Sequence, residues 1–180
     1  MLSLIDTNGG LMTKFISILV ACVLLAVVPT TLSRAHVPVL PKKPFKVISE
    51  KELTCLAKNI AFEAPDESYE GKLAVATVTM NRVKSRSFPK TVCGVVYQRN
   101  PRGCQFSWTC GPRGRLEKDI YAESRRIARA VLTQNLRLTS LKNALYFHNT
   151  SVSPNWSFAE PIKQIGNHIF YAPRRNNPTT

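Results

Sequence analysis

Ser49-Glu-Lys-Glu-Leu-Thr-Cys-Leu-Ala-Lys-Asn-Ile-Ala-Phe-Glu-Ala-Pro65, followed at once by Asp66-Glu-Ser-Tyr-Glu-Gly-Lys-Leu-Ala-Val-Ala-Thr-Val-Thr-Met-Asn-Arg-Val-Lys84, is the stretch on which the fold turns. In its first half Leu53, Leu56, Ala57, Ile60 and Ala61 recur at spacings of three and four, one face of a helix. Ser49 is the candidate N-cap, and Glu52, three residues on, completes a capping box. Pro65 ends the helix near Glu63 or Ala64, because the residue before a proline avoids the α region. Ser68 caps a second helix, predicted from Tyr69 to about Lys84. Its stripe of Leu73, Ala76, Met80 and Val83 is widened by Val75 and Val78, so the helix is expected to be deeply buried.

Further along, Pro89 breaks the helical pattern, and Thr91 to Gln98 reads as a short third helix. Arg99 to Arg115 is rich in glycine and proline and holds two cysteines, which predicts a stapled loop. A fourth helix is expected from about Glu117 to Gln134, with Ile120, Ile127, Ala128 and Val131 on one face. Ala144-Leu-Tyr-Phe-His148 is a strand candidate. Ile162–Ile165 and His168–Tyr171 flank Gly166-Asn167, a two-residue turn suited to a hairpin. The fold class that follows is α+β: mainly helical, with a small C-terminal β-hairpin or sheet.

Upstream, Lys14 precedes an apolar run from Phe15 to Val28, and Ser33 and Ala35 supply small residues in the −3 and −1 positions of a signal-peptidase site. This is the layout of a secretory signal, and the run is shorter than the roughly 20 residues that span a bilayer comfortably. Residues 1–35 are therefore read as a signal peptide, with an uncleaved signal-anchor as the alternative. Residues 36–48, with Pro38, Pro41, Pro44, Lys42, Lys43 and Lys46, read as an extended basic linker. Residues 49–173 form the domain and 174–180 a tail. The formal charge of the chain is +14, and losing Lys14, Arg34 and Asp6 with the leader leaves it at +13. An exported protein this basic suits anionic cell-wall polymers or a membrane surface, and export argues against nucleic acid as the partner.

Four cysteines remain beyond the leader, Cys55, Cys93, Cys104 and Cys110, an even number for an oxidising compartment. Of three connectivities, the short loop favours Cys104 with Cys110, which leaves Cys55 with Cys93. No Cys-x-x-Cys or His-Glu-x-x-His stretch is present, so neither a metal nor another cofactor is expected.

Glu63 is the candidate for chemistry. It sits at the C-terminal end of an apolar helix, where the helix macrodipole disfavours a carboxylate. Burial beside aromatic rings acts the same way. Both raise its pKa toward that of a general acid working near neutrality.

Cys55–Ala64 with Glu67–Val83 resembles the opening of the cell-wall hydrolase domain of the spore cortex-lytic enzyme type. Phe88–Gln98, Cys104-Gln-Phe-Ser-Trp-Thr-Cys110, Tyr146-Phe-His-Asn149 with Pro154 and Trp156, and Ile165–Tyr171 continue the resemblance in order. Such domains occur in bacteria and in the lysis enzymes of their viruses. The resemblance implies a lysozyme-like fold, with Glu63 as the catalytic residue of a Glu-Ala-Arg-Gly-Glu motif that reads Glu63-Ala-Pro-Asp-Glu67 here. Pro65 and Asp66 replace the arginine and glycine, which puts in doubt whatever that arginine contributes.

The implied reaction is cleavage of the β-1,4 bond between N-acetylmuramic acid and N-acetylglucosamine in peptidoglycan, by a monomer. Glycosidases ordinarily pair the acid with a second carboxylate. Asp66, Glu67 and Glu70 read instead as solvated loop or helix-start carboxylates. A single acid points to lytic transglycosylation, in which the sugar's own 6-hydroxyl attacks. Phe106, Trp108, Tyr146 and Trp156 are candidates to stack on sugar rings, and Gln105, Ser107, His148 and Asn149 to bond their polar groups. Asn81-Arg82 reads as a structural polar pair and His168 as structural. The competing reading is a non-catalytic wall-binding protein on the same fold.

Overall fold

The computed structural model describes residues 48–101, 103–112 and 114–174. The leader, nearly all of the linker and nearly all of the tail lie outside them. Four helices and five short strands follow in order: α1 (Glu50–Glu63), α2 (Tyr69–Lys84), α3 (Val92–Val96), β1 (Arg99–Asn100), β2 (Gly103–Cys104), α4 (Lys118–Thr133), β3 (Tyr146–Asn149), β4 (Ala159–Ile165) and β5 (His168–Pro173). The 3₁₀ turns Ser107–Thr109 and Thr139–Leu141 lie between them. The fold is α+β.

Two apolar clusters meet on α2. One gathers Leu53, Leu56 and Ile60 of α1, Leu73 and Ala76 of α2, Val95 of α3, Trp108, and Ile127 with Val131 of α4. The other joins Ala74 and Val78 of α2 to Leu141, Ala144, Ile165 and Phe170. Residues 71–79 are buried without a break, so α2 is the central rod and both of its faces exclude water. Truncating a fully buried residue such as Ile60 to alanine costs about 2–5 kcal/mol at sites of this kind.

The sheet has order β3-β5-β4 and is antiparallel throughout. Tyr146 pairs with Tyr171 and Asn149 with His168, while Ile165 pairs with His168 across the Gly166-Asn167 turn. Gly166 has φ +55°, the left-handed conformation this turn requires. The strand reaches back to Ala159, further than its sequence pattern shows, with a bulge between Pro161 and Lys163 that accommodates the proline on this edge.

Both disulfides are formed as the short-loop argument favours, Cys55–Cys93 and Cys104–Cys110. The expected capping box is not formed. The Ser49 side chain makes no cap hydrogen bond, and the Glu52 carboxylate accepts from Val92 N at 2.6 Å instead. A charged acceptor is worth more at the bare N–H groups of α3, which the Cys55–Cys93 bond holds alongside, than at its own helix start. Ser68 does cap α2, accepting from Gly71 N at 3.3 Å.

Candidate active site

Glu63 is the last residue of α1. Pro65 stops the helix there, with Ala64 leaving the helical conformation at φ −138°, ψ 48°. Two neighbours on the helix hold this end in place. Phe62 stacks on Trp108 with ring centres 4.7 Å apart. Asn59, fully buried one turn earlier, donates from Nδ2 to Thr79 Oγ1 at 3.1 Å and accepts from Trp108 Nε1 at 3.1 Å. The Thr79 hydroxyl donates in turn to Val75 O at 2.9 Å. A buried polar chain with every member satisfied fixes one packing, and this one ties α1, α2 and the stapled loop together. Sequence reasoning passed over Asn59; the signal was an amide on the apolar face of a helix.

Burial lifts the Glu63 carboxyl from 4.5 to about 7, with the Arg82 guanidinium pulling the other way. Arg82, from α2, is packed as a structural residue. It is 3% exposed, its Nε donates to Leu145 O at 2.7 Å, and its guanidinium carbon lies 5.4 Å and 5.1 Å from the Phe88 and Phe106 ring centres. Burial lowers it to about 10, opposed by Tyr146 and Glu63, so it stays charged at neutral pH. Its partner in sequence, Asn81, is structural, donating to Leu141 O and Ala144 O at 2.8 and 2.9 Å.

The remaining candidates divide into two groups. Phe106 and Trp108 are 3% and 8% exposed and belong to the core, because the stapled loop folds inward. Ser107, between them, is exposed, and Gln105, just before them, is half-buried. The second group forms an aromatic wall on the sheet. Tyr146 meets Trp156 and Phe158 edge-on at 6.0 and 5.2 Å, and Trp156 meets His148 and Tyr171 at 5.4 and 5.2 Å. His148 Nδ1 faces Asn149 O at 2.8 Å, which can only accept, so in the neutral ring Nε2 accepts from Tyr171 O–H at 2.7 Å. Asn149 is exposed, and its side chain accepts from Ser151 N at 2.9 Å. Phe158, 37% exposed, completes this wall; it lies in an aperiodic loop and nothing in its local sequence marks it. Burial raises the Tyr146 hydroxyl pKa, with Arg82 opposing.

Glu67 departs from the solvated carboxylate expected of it. Its side chain is 8% exposed and stands 3.5 Å from His168 Nδ1, and it accepts from Asn167 N at 3.0 Å. The loop after α1 is thereby tied to the β4–β5 turn. Burial lowers the His168 pKa, with Glu67 opposing. Asp66 is exposed, and Glu70 lies 3.8 Å from Lys163. A separate groove of about 850 Å³, lined by Asn81, Lys84, Lys142, Leu145 and Ile162 among others, contains none of the candidate site residues. No group of three or more His, Cys, Asp or Glu side chains is gathered as a metal would need among the described residues.

The two marked features are a half-buried glutamate at a helix end, its carboxyl pushed up to about 7 by burial, and a wall of aromatic rings on the sheet. The chain belongs to the cell wall hydrolase family, whose model matches residues 66–171, beginning three residues after Glu63. It is 38% identical over 124 residues to the spore cortex-lytic enzyme of Oceanobacillus iheyensis, covering 68% of this chain and 42% of that protein. The spore cortex-lytic enzyme of Bacillus subtilis is 36% identical over 126 residues, 68% of this chain and 38% of that one. The chain thus spans about two fifths of the length of these relatives. Among solved structures, the catalytic domain of the germination-specific lytic transglycosylase SleB from Bacillus anthracis superposes with a TM-score of 0.57 at 30% identity, over 70% of this chain and 98% of that one. The SleB catalytic domain from Bacillus cereus gives 0.52 at 29%, over 70% and 93%.

Proposed function

We propose that this chain degrades peptidoglycan, cutting the β-1,4 bond between N-acetylmuramic acid and N-acetylglucosamine by lytic transglycosylation. Glu63 serves as acid and then as base, residues 49–173 are the catalytic domain, and the protein acts as an exported monomer on glycan strands. The observation that carries this reading is the Glu63 carboxyl, pushed up to about 7 by burial. Such a group is protonated often enough to give a proton and ionised often enough to take one. The commitment of Glu67 to Asn167 and His168 takes one neighbouring carboxylate away from the role of nucleophile, which supports a mechanism with one acid. The names of the relatives agree in kind.

In the first step Glu63 protonates the glycosidic oxygen as the bond to the muramic anomeric carbon breaks. In the second the carboxylate takes the proton of the sugar's 6-hydroxyl as that oxygen attacks the same carbon, leaving a 1,6-anhydro end. Water in place of the hydroxyl gives a hydrolytic product. The sheet's Trp156, Tyr146 and Phe158 offer faces for pyranose rings, with His148, Asn149, Gln105 and Ser107 as polar contacts. Phe106 and Trp108 support the site from the core.

Pro65-Asp66 in place of the family's Arg-Gly favours a second reading, a domain that binds the wall without cutting it. Mass spectrometry of fragments released from purified peptidoglycan by residues 36–180 separates the outcomes. Anhydro-muramic ends are expected. Reducing muramic ends would make the protein a muramidase, and no release by folded, disulfide-intact protein would leave wall binding as the function.

A further inference from the structure

We propose that Trp108 is a positioning residue for Glu63 and that the Cys104–Cys110 bond decides whether it acts: oxidised, the loop sets the end of α1 and the enzyme works; reduced, the loop lets go and the enzyme is latent. This rests on the reading of Glu63 as the acid. The Trp108 indole is fastened to α1 twice. Its Nε1 donates to Asn59 Oδ1 at 3.1 Å, and its ring stacks on Phe62 with centres 4.7 Å apart. Asn59 lies one turn before Glu63 on the same face of the helix, and Phe62 directly precedes Glu63. One ring therefore braces the last turn of α1 from which the acid projects. The same loop reaches the other half of the site. Its Phe106 ring stands 6.3 Å from Phe147, the β3 residue between Tyr146 and His148 of the aromatic wall.

The backbone ties of this loop are few. A ladder of two residue pairs leads into it, Arg99 with Cys104 and Asn100 with Gly103, and Gln105 N donates to Gln98 O at 2.9 Å. The bonds of its turn, Thr109 N to Phe106 O and Cys110 N to Ser107 O, stay within the loop. Among the described residues, no backbone hydrogen bond ties 111–116 to another element. The disulfide is thus the covalent tie that returns the loop's exit to its entrance. Burial separates it from the other one. Cys110 is exposed and Cys104 half-buried, whereas Cys55 is 7% exposed in the core. Thiol exchange needs access to a sulfur, so a soluble thiol reaches the loop bond first. A dithiol's thiolate attacks Cys110 Sγ, and Cys104 leaves as a thiolate. The reductant's second thiolate then attacks its own sulfur in the mixed disulfide and frees Cys110. Two electrons and two protons have passed to the cysteines, and the dithiol departs as a disulfide. A small disulfide in excess reverses the exchange. A thiol-rich cytosol keeps the loop open and an oxidising compartment closes it, so a wall-cutting enzyme becomes active only beyond the cytosol.

The test uses the protein of residues 36–180, which holds every described residue, treated with dithiothreitol, alkylated and mapped by mass spectrometry. Cys104 and Cys110 are expected to label well before Cys55 and Cys93. With Trp156→Phe in the background Trp108 is the one remaining tryptophan, and its emission is expected to move to longer wavelength on reduction and to return with glutathione disulfide. With Trp156 in place, kcat for fragment release is expected to fall about 10- to 100-fold on reduction, with KM little changed, and to recover on reoxidation. Cys104→Ser with Cys110→Ser should match the reduced protein and ignore both reagents, and Trp108→Leu should show the same loss of kcat in either redox state. Full kcat and an unmoved Trp108 emission in protein alkylated at Cys104 and Cys110 would overturn the proposal, as would earlier labelling of Cys55 and Cys93. If the serine variant does not fold, the reduced and reoxidised wild type decide. An oxidised protein that releases no fragments defeats the functional reading, and the positioning role with it, whereas an active enzyme indifferent to reduction defeats this proposal alone.

Discussion

The helices that carry Glu63 and the sheet that carries Trp156 treat their functional side chains in opposite ways. On the helical side Asn59, Thr79 and Arg82 are 0–3% exposed, and Asn59 and Arg82 bond across to other elements. On the sheet the rings stay half-open, Phe158 at 37%, and lean on one another edge to face. Enclosure suits proton chemistry, because burial is what raises the Glu63 carboxyl toward 7. A half-open wall suits binding, because a sugar needs a face it can reach. The difference teaches that residues which set the chemistry are read by their burial, and residues which hold substrate by their exposure.

The sharpest attack on this division is Glu63→Gln. It should lower fragment release by about 100- to 10,000-fold while the protein stays folded, and a smaller loss would remove proton chemistry from the helical side. Next come the disulfides, which fall one on each side of the stapled loop's entrance. Cys55–Cys93 closes 38 residues and Cys104–Cys110 only 6. Chain-entropy reasoning gives serine replacement of the first pair a cost of roughly 4 kcal/mol and of the second roughly 2 kcal/mol. Denaturant unfolding of the two double variants checks that order, and a reversed order would mean that the loop, not the helix pair, holds the site together.

Acidity offers a gentler probe. The folded pKa of Glu63, about 7, stands above its ordinary 4.5, so the folded state holds this proton more tightly than the unfolded one. Its contribution to stability is complete below about 4.5 and is lost as pH rises through about 7. Glu63→Gln should therefore flatten that part of the stability curve and gain about 1–3 kcal/mol over wild type at pH 8. Unfolding midpoints at pH 5 and 8 would show it, and parallel curves would mean that Glu63 is not buried in solution. The smallest effect is expected on the open side. Trp156→Ala should raise KM about tenfold with kcat nearly unchanged. A fall in kcat alone would place the wall in the chemistry.

Much of the helical frame was legible because its signals are local. Pro65 locates the end of α1 and Ser68 the start of α2, and the short loop between Cys104 and Cys110 argues its own pairing. Readings that depend on distant partners fared differently. Glu52 looks like a capping-box residue until Val92, forty positions on, claims its carboxylate. Glu67 looks solvated until the β4–β5 hairpin claims its carboxylate. Trp108 reads as a loop residue open to substrate because glycines and prolines surround it, yet an indole with Asn59 to bond and Phe62 to stack on gains more by folding inward. Local propensity says where a turn falls, not which way it folds.

The Glu67–Asn167 hydrogen bond links positions 100 residues apart. Protein synthesis runs from the N-terminus, so the loop leaving the catalytic helix waits for the last hairpin before its anchor exists. Contacts of such long range close late in folding. Assembly of the site therefore waits on the β4–β5 hairpin, and a product lacking that hairpin would carry the acid without its anchor.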